Sequence, residues 1–156
     1  MMAALFAGCA ARGSAPQGTG PADEPAAREA GTTEASGGEP VALENTDWKL
    51  TLLGGEPVGP GAGGKELQIT LVSVEKRVEG FAGCNRIEGE YQLAGTNLSF
   101  PALIMTKMGC MDHMDQERAF AGALNETASW KIAGGRLELL DARGNVVAQF
   151  EPRPAD

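Results

Sequence analysis

The residue types best equipped for chemistry crowd into ten positions. Met105, Met108, Met111 and Met114 recur at intervals of three, and every methionine beyond the first two residues is among them. Cys110 and the sole histidine, His113, lie in the same stretch. Thioether, thiolate and imidazole donors at close range suit Cu(I). Methionine at such spacing also fills a core beneath a helix, and a disulfide at Cys110 would remove the thiolate. The cluster is therefore read first as packing, with Cu(I) binding as the lesser alternative, and no metal ligand or cofactor is assigned.

Other reactive constellations lack parts. With one histidine and no serine in a strand-turn-helix setting, a nucleophilic triad has no candidates. The glycine-rich stretch Gly54 to Gly64 ends at Lys65-Glu66 without the helix pattern that a phosphate loop requires. Asn97-Leu98-Ser99 and Asn125-Glu126-Thr127 match the glycosylation acceptor pattern, which two chance hits explain. The chain carries 13 Lys plus Arg against 21 Asp plus Glu, a net charge of -8, the reverse of what tracking a phosphate backbone demands. Nucleic acid is excluded as a partner on that ground.

The 156 residues suffice for one domain with an attached segment. Met1 to Cys9 reads as a short apolar run closing on a cysteine, similar to a bacterial lipoprotein signal whose cleavage leaves the Cys9 thiol to carry lipid. The alternative is an ordinary soluble beginning. Ala10 after Cys9 favours the outer membrane by the usual sorting convention, with the protein facing the periplasm. Residues 10–40 hold eight Ala, six Gly, four Pro and no Val, Ile, Leu, Met or aromatic residue. Such a stretch cannot bury enough surface to offset ordering entropy, so it is expected to be a disordered tether.

The folded domain is expected over 41–151, where 35 large apolar residues fall before Glu151. Trp48, Leu50 and Leu52 alternate with polar residues, as do Leu67, Ile69 and Leu71, the period of a half-buried strand. Further strands are expected at Val74 to Ala82, Ile87 to Leu93 and Asn97 to Phe100, and a three-strand meander over Ser129 to Phe150. Gly54 to Gly64 reads as loop. Helical spacing marks Asp112 to Ala128, where Met114, Glu117, Phe120, Ala121, Leu124 and Ala128 recur at three and four, with Asp112 as N-cap. The fold class is β-rich α+β: a small curled antiparallel sheet or partly open barrel with one helix packed against it. Gly80, Gly83 and Gly89 are expected at bulges or sharp bends.

The most distinctive residues are Gly80 to Tyr91, which contains Gly83-Cys84-Asn85 and Gly89, then Leu98-Ser99-Phe100 and Thr106-Lys107-Met108-Gly109-Cys110. Glu117, Phe120 and Leu124 follow at helical spacing. With Trp48 and the Trp130 to Leu140 hairpin, this order resembles the META domain family, which includes the HslJ-like heat-shock proteins, over Val41 to Phe150. The resemblance implies a small β-rich domain with a helix, common in bacterial lipoproteins and secreted proteins, linked to heat stress and without an established enzymatic activity. Gly83, Cys84, Asn85, Gly89, Tyr91, Thr106, Met108 and Cys110 match the family motif, with structural roles expected and no catalytic residue carried over.

If Cys9 carries lipid, Cys84 and Cys110 remain, and an oxidising envelope would join them. Two buried free thiols are the alternative. Asn85 reads as a turn residue tolerant of left-handed backbone rather than a catalytic amide. Tyr91 reads as core or rim packing, with no obvious base nearby, and Arg86 and Glu88 as solvated charges. The expected function is that of a non-enzymatic envelope lipoprotein in stress tolerance or envelope integrity, attached to the membrane through its lipid. The alternative is a binding module for a hydrophobic ligand, a peptide or a basic hydrolase, suited by the acidic surface.

Overall fold

The computed structural model describes residues 40–154. The expected anchor at Cys9 and the 10–39 part of the expected tether lie outside these residues. Nine antiparallel strands and one helix make up the domain: β1 (Asp47–Leu53), β2 (Glu56–Pro57), β3 (Gln68–Val72), β4 (Arg77–Phe81), β5 (Arg86–Ala94), β6 (Asn97–Met105), α1 (Met114–Glu126), β7 (Ser129–Ala133), β8 (Arg136–Leu140) and β9 (Val146–Pro152). Neighbours in the sheet follow chain order from β3 to β9, and β1 pairs with both β3 and β9, so the sheet curls into a ring. The β6–β7 seam is held in register by a single pair, Asn97 with Ser129.

Period-two alternation turns one face of each strand inward. Trp48 and Leu50, Ile69 and Leu71, Leu98 and Phe100, Leu137 and Leu139, and Ala148 and Phe150 are all buried at the centre of the ring. The helix contributes Phe120, Ala123 and Leu124 to that core and packs against β6, β9 and β1. Its Phe120 ring sits 6.1 Å from that of Phe150. Buried Trp48 satisfies its indole N–H by donating to the Leu43 carbonyl at 2.9 Å. Among the described residues no helix is long and apolar enough to cross a membrane.

Several expected boundaries move, each for a local reason. The strand expected from Val74 starts at Arg77, because Lys76 adopts φ 52 and leaves Val74 exposed in a turn. Strand β6 runs beyond Phe100 to Met105: Phe100 and Pro101 together face the single residue Tyr91, and a bulge is one of the few places a sheet accepts proline. The stretch read as loop contains β2, folded onto β1 by a two-residue turn at Gly54 and Gly55, both at positive φ. The helix begins at Met114 with His113 at the N-cap and no side-chain cap, rather than at Asp112. The preceding residues are held in a turn, His113 N–H donating to the Cys110 carbonyl at 3.4 Å.

Gly80 and Gly89 are not bulges. Both sit in regular register, Gly80 between Ile69 and Ile87 and Gly89 between Val78 and Leu103. Their role is close approach: a Cβ would lie 2.4 Å from the Gln68 carbonyl oxygen at Gly80 and 2.1 Å from that of Ala102 at Gly89. The backbone of the neighbouring strand comes too close there for any side chain.

Candidate functional site

The short connection from β4 to β5 is the focus of the motif residues. Gly83 takes φ 120, a conformation that L side chains rarely adopt, and this lets the chain reverse before Cys84. Ala82 N–H donates to the Asn85 carbonyl at 2.8 Å and closes the turn. From outside, Gly61 presses against it so closely that a Cβ would lie 2.3 Å from the Gly83 oxygen.

Helix α1 reaches this turn through one carboxylate. Glu117, only 3% exposed, accepts the backbone N–H of Cys84 at 3.2 Å and of Asn85 at 2.7 Å on Oε2, and the Asn85 Nδ2 at 2.8 Å on Oε1. Asn85, 2% exposed, then joins the turn to the segment after β6. Its Oδ1 accepts the Thr106 hydroxyl at 2.9 Å and the Met108 N–H at 2.6 Å, while Nδ2 also donates to the Met108 carbonyl at 3.2 Å. Both amide hydrogens and both oxygen lone pairs of Asn85 are thereby engaged. Thr106 Oγ1 in turn accepts the Arg86 N–H at 3.1 Å. A disulfide joins Cys84 to Cys110 with alpha carbons 6.0 Å apart, so the same two segments are fastened covalently.

The structure thus gathers Gly83, Cys84, Asn85, Thr106, Met108 and Cys110 into one polar staple. Gly89 and Tyr91 stand apart from it. Tyr91 is 3% exposed, and its hydroxyl donates to Glu44 Oε1, which Lys76 Nζ also meets at 2.7 Å. The Lys76 ammonium lies 5.6 Å from the Tyr91 ring centroid. Hydrogen bonds from Lys76 and then Tyr91 hold the Glu44 carboxyl below its ordinary value of 4.5. Burial, then the hydrogen bond to Glu44 and its charge, push the Tyr91 phenol well above its ordinary 10.0. The expectation that no base stands near Tyr91 is therefore corrected: Glu44 is separated from it by 47 positions in sequence, and only the ring of strands brings them together.

From the sequence, Glu117 and Asp115 are expected to complement the positive end of the helix dipole, and both do stand in its first turn, but the buried role of Glu117 goes beyond that. Its signal was present: a carboxylate three before Phe120 and seven before Leu124 sits on the apolar stripe of the helix, where a charge needs buried partners. The methionines divide. Met105 and Met114 are half-buried, whereas Met108 is 61% and Met111 95% exposed, so the latter two do not fill the core beneath the helix. Among the described residues no group of three or more His, Cys, Asp or Glu could hold a metal ion. An open groove of about 550 Å³ lies between α1 and the β1–β2 turn, with Leu53, Val58, Ala119 and Val147 in its walls and Glu56 and Glu126 beside them.

Comparison with solved structures gives an NMR structure of a protein from Burkholderia xenovorans at 26% identity and TM-score 0.57, covering 80% of this chain and all of that one. A second NMR structure, at 24% identity and TM-score 0.54, covers 70% and 90% and shares the fold. A crystal structure of a duf4847 family protein from Bacteroides vulgatus ATCC 8482 matches at 16% identity and TM-score 0.49, over 73% and 96%. A search of curated proteins gives no match. The META domain model matches residues 41–154, all but one of the described positions and the whole of the ring, its helix and the staple, and the chain belongs to the META domain family.

Proposed function

We propose that the chain is a non-enzymatic, lipid-anchored bacterial envelope protein whose META domain serves stress tolerance or envelope integrity. The observation that carries this reading is the Cys84–Cys110 bridge at the centre of the staple, since structural disulfides persist in oxidising compartments and are rare where thiols are kept reduced. The polar groups of the staple support it further: Asn85 and Glu117 engage one another and the backbone, which leaves them committed to holding the fold. The test is fractionation of cells expressing the full chain. The protein should follow the membrane and enter detergent, and a Cys9→Ala variant should appear in the soluble envelope fraction. Retention of Cys9→Ala with the membrane, or recovery of the unaltered chain from the cytosol, would contradict the proposal.

A second reading, a binding module, is favoured by the apolar groove beside α1, whose volume of about 550 Å³ falls in the range of small-ligand sites. The core itself is filled by side chains, so a ligand would bind on the outside of the ring. Quenching or enhancement of an apolar dye, abolished by Ala119→Glu with folding intact, would separate this reading from a purely structural domain.

A further inference from the structure

We propose that the disulfide-stapled segment between β6 and α1 binds a soft monovalent cation, Cu(I) or Ag(I), through the thioethers of Met108 and Met111. Four large apolar side chains are strongly exposed among the described residues, and three of them, Ile104, Met108 and Met111, fall within eight positions. Single exposed apolar residues need no explanation, but two methionines lifted out of the core side by side on one short segment do.

The backbone beneath them is fixed. Asn85 grips Met108 on both its N–H and its carbonyl, and Met111 follows directly on bridged Cys110. Three residues separate the two alpha carbons by at most about 10 Å of extended chain. The turn between Cys110 and His113 holds the chain on the far side of Met111 as well. Each methionine has three rotatable side-chain bonds, so two sulfur atoms on these anchors can converge on one ion. His113, a half-buried imidazole, stands two positions beyond Met111.

The donor chemistry selects the ion. Thioethers are neutral and soft and favour Cu(I), whereas divalent ions of harder character need carboxylate or thiolate sets that the described residues do not assemble. The disulfide occupies Cys110, so binding would require no free thiol and no reduction of the bridge. Exposed Asp112 and Asp115 add negative charge beside the segment without entering it as soft donors.

The experiment is an anaerobic Cu(I) titration of the full chain carrying Cys9→Ser, with the bridge oxidised, in competition with a chromophoric Cu(I) chelator. The expected result is one equivalent withdrawn from the chelator, and its loss on combining Met108→Leu with Met111→Leu. Both side chains are exposed, so the double variant should keep its thermal midpoint. As a second readout, the methyl resonances of Met108 and Met111 should shift on Cu(I) addition. Failure of the unaltered Met segment to compete, equal competition by the double variant, or shifts confined to other methionines would overturn the proposal.

Discussion

Glu117 shows what a single buried carboxylate does in this domain. Its two oxygens are the acceptors for three donors on the Cys84–Asn85 turn, so Glu117→Ala would leave those donors without partners inside the protein. We expect a loss of about 3 kcal/mol or more of unfolding free energy in urea with the disulfide intact, and a smaller loss for Glu117→Gln, which keeps one oxygen. An unchanged urea midpoint for the alanine variant would show that the network is dispensable. Tyr91, the only tyrosine, gives a clean optical probe. Because its folded value is raised, the phenol should stay neutral through pH 10 in the native protein and ionise normally once unfolded, so its contribution to stability is present below pH 10 and lost above it. Glu44 has the opposite sign: its folded value is lowered, so its contribution is present above about pH 4.5 and lost as pH falls through the folded value. Glu44→Gln should flatten that acid limb and bring the tyrosinate absorbance to lower pH. The motif residues were legible because cysteine, asparagine and glycine in a turn carry their own chemistry. Their partners were not, since Glu44 and Glu117 meet Tyr91 and Asn85 only across the folded ring.

At the scale of elements, the curl depends on places where a side chain is forbidden. Gly89→Ala would set a Cβ 2.1 Å from the Ala102 oxygen, backbone that cannot yield as a flexible side chain would. We expect a destabilisation of about 2 to 3 kcal/mol. Gly122 provides the opposite case: it lies within α1, and a Cβ there meets nothing within 4 Å. Gly122→Ala should therefore stabilise the domain by about 0.5 to 1 kcal/mol, through helix propensity and a less diverse unfolded chain. Thermal or urea unfolding of the pair checks both signs, and the same sign for both would contradict this account of the sheet. Strand identity was readable wherever one face is buried, as at Ile69 and Leu71 or Leu137 and Leu139, since alternation is imposed by the core. What escaped was set by the neighbouring strand. The bulge that carries β6 through Pro101 is a mismatch of register with β5 at Tyr91, and the contact that requires Gly89 comes from Ala102.

The whole molecule is a ring closed by β1 against β9, with a seam between β6 and β7 that one register pair barely holds. The helix and the staple lie on the path from β6 to β7 and bind its two ends, α1 through Glu117 and the β6 exit through Asn85 and the bridge. The disulfide closes a loop of 26 positions. In the chain-entropy model such a loop contributes about 3.5 kcal/mol, a large part of the margin that keeps a small domain folded. Replacing both Cys84 and Cys110 by Ser should lower the unfolding free energy by that order, and Cys9→Ser should leave it unchanged. The account rests on export of a chain whose three cysteines are all occupied. Its most direct test is the intact mass of the protein recovered from the cell envelope, measured with a thiol-alkylating agent before and after reduction. The account predicts acyl chains on Cys9, no label before reduction, and two labels, on Cys84 and Cys110, after it. Three labels before reduction, one of them on an unacylated Cys9, would contradict it.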